Sequence, residues 1–113
     1  MLKRRLEELT TYDAPGHFEM TAMRVHGKEE TGAEKFWVGH SVFLPGGGAE
    51  WGGEDSPVEK FYYVLEGEMT VTDKDGKDYV LGPDESITLY PNEGRSLVNK
   101  TNRPARMLVI GNY

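Results

Sequence analysis

The chain has three histidines, at positions 17, 26 and 40, and no cysteine. Thiolate nucleophiles, disulfides and cysteine-based zinc sites are therefore excluded. His40 sits in the run Phe36-Trp37-Val38-Gly39-His40-Ser41-Val42-Phe43-Leu44. Period-two counting along a strand puts it on one face with Val38 and Val42. If that face looks into an interior, His40 is the candidate general acid or base near neutral pH. His17 and His26 belong to an N-terminal segment with Arg24 between them, which points to the surface or to the rim of a neighbour's pocket. Glu54, Asp55 and Glu93 together with His40 offer a mixed oxygen and nitrogen set for a divalent metal at non-standard ligands. Trp51, Tyr62, Tyr90 and Phe43 are candidates to line a pocket, where flat rings shape apolar binding and a phenol can donate a proton.

Positioning these groups is a task for one small domain, since 113 residues fit a single core. Hydrophobic residues make up only 37% of the chain, so a homodimer is the natural way to bury more surface. The net charge is −6, and the one basic cluster, Lys3-Arg4-Arg5, is answered at once by Glu7 and Glu8. Nucleic acid is therefore not an expected partner. The longest apolar run, Phe61-Tyr62-Tyr63-Val64-Leu65, is far shorter than the roughly 20 residues of a membrane span. The basic start is not followed by an apolar stretch of the signal-peptide kind, so the expected location is cytoplasmic.

Leu2, Leu6 and Leu9 recur at i, i+4 and i+7, the stripe of a short N-terminal helix that Pro15-Gly16 closes off. Strand-like segments then follow over residues 17–26, 36–44, 58–66, 68–73, 77–81, 86–90, 95–100 and 105–110. Asp73-Lys74-Asp75-Gly76 reads as a hairpin turn, with Gly76 free to take a left-handed conformation. Pro45-Gly46-Gly47-Gly48 reads as a break where no strand continues. Short strands at this spacing with little helix predict an all-β antiparallel sandwich or barrel. The run from Phe61 to Leu65 does not alternate, so it is expected to be covered on both faces, one by the barrel interior and one by a second sheet or subunit.

Pro45-Gly46-Gly47-Gly48 followed by Tyr63-Val64-Leu65-Glu66-Gly67-Glu68 resembles the cupins, the family of small double-stranded β-helix or jelly-roll barrels. The resemblance covers residues 36–110 as barrel core, leaves residues 1–16 as helix and arm, and makes 1–113 a single cupin domain. It implies a metal held by two His and one Glu of a first motif and one His of a second. Counted back from Gly67, the Glu position is Lys60, and Glu59 is one residue off, on the opposite face of a strand. The two His positions fall on Glu54 and Ser56, or on Gly53 and Asp55. Anchored on Pro91, the second-motif His is Ser96; anchored on Asn99, it is Arg95, the preferred alignment because the loop Asn92-Glu93-Gly94 absorbs an insertion more easily than the strand after it. All four usual ligands are thus replaced, and no resident cofactor is expected.

The cupin frame would place Lys60 and Arg95 facing each other near the absent metal, with Tyr62 next on the same face as Lys60. Two cations in place of a dication suit an anionic small molecule, with Arg95 as a bidentate fork. The alternative is that both pair structurally with Glu54, Glu59 or Glu93. The sequence therefore predicts a pocket for an anionic or aromatic metabolite, in a sensor, carrier or accessory role. Its candidate residues are Lys60, Arg95, Trp51, Glu54 and Glu93. The competing expectations are an isomerase, lyase or cyclase type enzyme using His40 and Tyr62, and a metal-dependent cupin with substituted ligands.

Overall fold

Short apolar runs separated by turn residues form nine strands in the computed structural model, which describes residues 1–113. They are β1 (Thr11–Tyr12), β2 (His17–His26), β3 (Phe36–Gly52), β4 (Lys60–Glu66), β5 (Met69–Thr72), β6 (Asp78–Leu81), β7 (Ser86–Leu89), β8 (Arg95–Val98) and β9 (Ala105–Asn112). The hydrogen-bonded order is β6-β5-β8-β3-β9-β4-β7, and β2 lies against β3 with β1 beyond it. Every pairing is antiparallel, as a nearly closed jelly-roll barrel requires.

The segment Pro45-Gly46-Gly47-Gly48 does not end a strand, contrary to the expectation from composition. Instead β3 runs through it, pairing with β9 over residues 36–43 and with β8 from Gly48 onward. The glycines form a corner at which one strand passes between sheets. Gly46 adopts a φ of 82° and donates its N–H to the Asn99 carbonyl at 2.8 Å, while the Asn99 N–H reaches the Gly47 carbonyl at 2.8 Å. At Gly48 a Cβ would overlap the Leu97 carbonyl oxygen, so close backbone approach demands glycine there.

The expected N-terminal helix is reduced to one 3-10 turn, Leu6–Glu8. Leu2 and Leu6 remain about half exposed, so the leucine stripe has no face to pack on and little to hold a longer helix. A four-residue helix, α1 (Lys28–Thr31), connects β2 to β3 where none was expected.

The hairpin between β5 and β6 follows its turn residues. The Asp73 carboxylate accepts the N–H groups of Asp75 and Lys77 at 2.9 and 3.0 Å. The core is built from inward positions of alternating strands, with Phe43, Tyr62, Val64, Met69, Val71, Leu97 and Met107 all buried. On β4 the alternation is clear, since Tyr62 and Val64 are buried while Phe61 is 41% exposed.

Candidate functional site

A cavity of about 240 Å³ opens between the N-terminal arm and the inner faces of β2, β3, β4, β8 and β9. It exists because glycine occupies inward positions where a side chain would fill the barrel. Trp37, Gly39, Ser41 and Phe43 are the inward residues of the first half of β3. Register carries Trp37 across to Gly111 and on to Lys60, and Gly39 across to Val109 and on to Tyr62. The Trp37 indole lies over Gly111, where a Cβ would sit 2.7 Å from its Cζ2. Space is thus left open in front of Lys60 and Tyr62.

This parity corrects the placement of His40. The odd-numbered residues of β3 face inward, so His40 is on the outer face with Val38 and Val42, away from the cavity. It is buried there, with Nε2 accepting from Arg106 Nε at 3.4 Å and Nδ1 without a partner. Burial and the Arg106 charge hold its imidazole below the ordinary 6.5.

Lys60, Tyr62 and Arg95 do line the cavity, as the cupin register implied. Arg95 is buried, its Nε donating to the Tyr62 hydroxyl at 2.7 Å and Nη1 reaching the Glu50 carbonyl at 3.4 Å. Because Tyr62 accepts from Arg95, its own proton can be offered to a ligand. Neither Lys60 nor Arg95 forms an ion pair, so the structural pairing with Glu54, Glu59 or Glu93 is not made. Burial and the charge of Arg95 hold the Lys60 amine below its ordinary 10.5.

Two groups expected at the surface or at the rim of a neighbour's pocket, His17 and Arg24, lie instead on the wall of this chain's own cavity. The Arg24 guanidinium stacks 4.3 Å from the Trp37 ring and 5.4 Å from that of Tyr12, and its Nε is buried without a partner. His17 Nδ1 is 2.9 Å from the Pro15 carbonyl oxygen. β2 is irregular between Phe18 and Met20, with Glu19 at a φ of 49°. That irregularity lets His17 share the inner face with Met20, Ala22 and Arg24. Of the 17 lining residues none is Asp or Glu.

Trp51, Glu54 and Glu93 are not part of this cavity. They line a separate open cleft of about 370 Å³ with Tyr90 and the Asp73–Asp75 turn. There the Trp51 indole covers Gly94, where a Cβ would come within 2.6 Å of the ring and 3.2 Å of Glu54 Cβ. No three His, Asp or Glu side chains converge anywhere in the chain, so Glu54, Asp55, Glu93 and His40 do not assemble the mixed donor set. A cupin-type metal does not fit the cavity either, since its only imidazole, His17, shares the space with the cations Lys60 and Arg95.

The family model for the cupin domain matches residues 39–111. The chain is 44% identical over 107 residues to a protein of Mycobacterium tuberculosis named as a beta-D-galactosidase, covering 93% of this chain and 88% of that one. Among solved structures it is similar to the polyketide cyclase RemF of Streptomyces resistomycificus. That pair has 26% identity and a TM-score of 0.85, covering 99% of this chain and 80% of the other. A sugar phosphate isomerase of Silicibacter pomeroyi shares the fold at 21% identity and a TM-score of 0.79, over 99% and 76% of the two chains.

Proposed function

Since this chain belongs to the cupin domain family, we propose that its barrel cavity binds a small anionic metabolite, with Lys60 and Arg95 receiving the acid group. The observation that carries this reading is a wall holding Lys60, Arg95, Arg24 and His17 with no carboxylate among its residues. Positive charge gathered without a counter-charge in a partly desolvated space is costly until an anion enters. Arg95 is held by the Tyr62 hydroxyl and has guanidinium N–H groups left for a bidentate acid. Its volume lies below the roughly 300–1,000 Å³ typical of drug-sized sites, which favours a compact ligand.

The test is a thermal-shift and calorimetric screen of carboxylates and phosphates, including sugar acids and sugar phosphates. At least one should raise the melting temperature of the wild type, and Lys60→Met and Arg95→Gln should abolish that rise. If no anion binds, or if both variants bind as the wild type does, the proposal fails.

A second reading, hydrolysis of β-galactosides, is favoured by the similarity to the mycobacterial galactosidase. Glycoside hydrolysis usually needs two carboxyl groups flanking the scissile bond. The cavity has none, whereas the outer cleft has Glu54 and Glu93 beside Trp51 and Tyr90. Release of nitrophenol from a nitrophenyl β-galactoside that is lost in Glu54→Gln and Glu93→Gln, yet kept in Lys60→Met, would place that activity in the cleft. An inactive wild type excludes it.

A further inference from the structure

We infer that His17 is the base of a proton-transfer reaction on the anion held by Lys60 and Arg95, taking a proton from the carbon beside a carbonyl group. This rests on the anion-pocket reading and adds an activity to it. The ligand class is a compact carbonyl compound that bears a carboxylate or phosphate.

The tautomer of His17 follows from its partner. A carbonyl oxygen only accepts, so the contact of 2.9 Å to Pro15 requires the proton on Nδ1. The lone pair is then on Nε2, the nitrogen a general base uses. Burial lowers the imidazole below its ordinary 6.5, the Pro15 hydrogen bond opposes this, and the charges of Arg95 and Lys60 lower it further. These effects together favour the neutral imidazole of His17. The other titratable groups on the cavity wall are Lys60 from β4, Arg95 from β8, Arg24 from β2, and the phenols of Tyr12 and Tyr62. No carboxylate lines the cavity to compete for the cations or to claim the imidazole.

The step balances without an oxidant or a second substrate. Nε2 takes the proton from carbon, the C–H electron pair becomes a C=C bond, and the carbonyl π pair moves to oxygen. The enolate oxygen is stabilised by Lys60 and Arg95, whose positive charge meets the developing negative charge. The imidazolium then returns a proton to carbon. In heavy water the returned proton is a deuteron, so exchange reports the step directly.

Pyruvate, 2-oxoglutarate and dihydroxyacetone phosphate are incubated with the full chain in deuterium oxide and followed by proton NMR, with binding measured in parallel by calorimetry. Loss of the signal beside the carbonyl should run well ahead of buffer for at least one compound. His17→Gln should slow it by about 100-fold or more, the usual range for removing a general base, and His40→Gln should leave it unchanged. At substrate concentrations well below saturation, where the pH profile reports the free protein, the wild-type rate should rise to a plateau with a midpoint below 6.5. Compounds that bind without exchange faster than buffer, or exchange that survives in His17→Gln, overturn the role of His17. Absence of binding by all three overturns this role, whereas the anion pocket itself falls only if every acid of the wider screen also fails to bind.

Discussion

Two histidines of this chain have their neutral forms favoured by the fold, for different reasons. His40 is walled into the outer face beside Arg106, and His17 faces two cations across the cavity. Both have folded values below the ordinary 6.5, so the unfolded chain binds protons more readily as the pH falls. Their contribution to stability is complete above pH 6.5 and is lost as the pH drops through the lower folded values. Denaturant titrations should show stability falling between pH 7 and pH 5, with a shallower fall in His40→Gln; an unchanged slope in that variant would count against the assignment. The neutral amine of Lys60 should likewise be available at lower pH than that of the other lysines. Mapping acetylation by mass spectrometry at pH 8 should find Lys60 reacting early, and Arg95→Gln should slow it by allowing the amine back toward 10.5. At this scale Lys60, Tyr62 and Arg95 were legible, because motif spacing and the period of a regular strand carry through β4 and β8. His40 was grouped with Val38 and Val42 as the structure has it, but strand period does not say which face of a strand looks inward. His17, expected at the surface or the rim of a neighbour's pocket, is turned into this chain's own cavity by the irregularity at Glu19.

The strands hold the site through two features that substitution can probe. Asn99 is fully buried, donating to the carbonyls of Phe43 and Arg103 and accepting from the Thr101 N–H and hydroxyl. It ties the glycine corner of β3 to the turn between β8 and β9. Asn99→Ala should lower the unfolding free energy by about 3 kcal/mol, because several buried polar groups lose their partner at once; a change below 1 kcal/mol in a denaturant titration would refute the clamp. The second feature is the glycine floor. Gly39→Ala puts a Cβ at an ordinary 3.6 Å from Trp37, whereas Gly111→Ala forces the indole to move. Gly111→Ala should therefore weaken anion binding by about tenfold, the size of a modest overpacking cost, while Gly39→Ala retains the fold by circular dichroism. Element positions were mostly legible from alternation and turn residues. The passage of β3 through Pro45-Gly46-Gly47-Gly48 was not, because local composition signals a bend without saying whether pairing resumes beyond it.

At the scale of the whole molecule, the run from Phe61 to Leu65 shows why a lone chain leaves something uncovered. Its inner face fills the barrel, but Phe61 and Phe36 are 41% and 51% exposed on the outer face beside Val38 and Ile110. No second sheet of this chain covers them. A second copy is the expected cover, since contiguous exposed apolar surface commonly marks an interface. Light scattering should give about twice 12.7 kDa, and Phe36→Asp combined with Phe61→Asp should yield a monomer; a monomeric wild type would end this expectation. No helix is long and apolar enough to cross a membrane. The sequence by itself pointed to the all-β barrel through strand period and turn residues, and its resemblance to the cupins put Lys60 and Arg95 at two of the family's ligand positions, because strand period and motif spacing are local properties. Only the tertiary structure decided that His17 and Arg24 share the cavity while His40, Trp51, Glu54 and Glu93 lie elsewhere. Those placements depend on a strand irregularity, on glycines that leave room across three strands, and on which sheet each half of β3 joins, all of which are set by pairing between residues far apart in the chain.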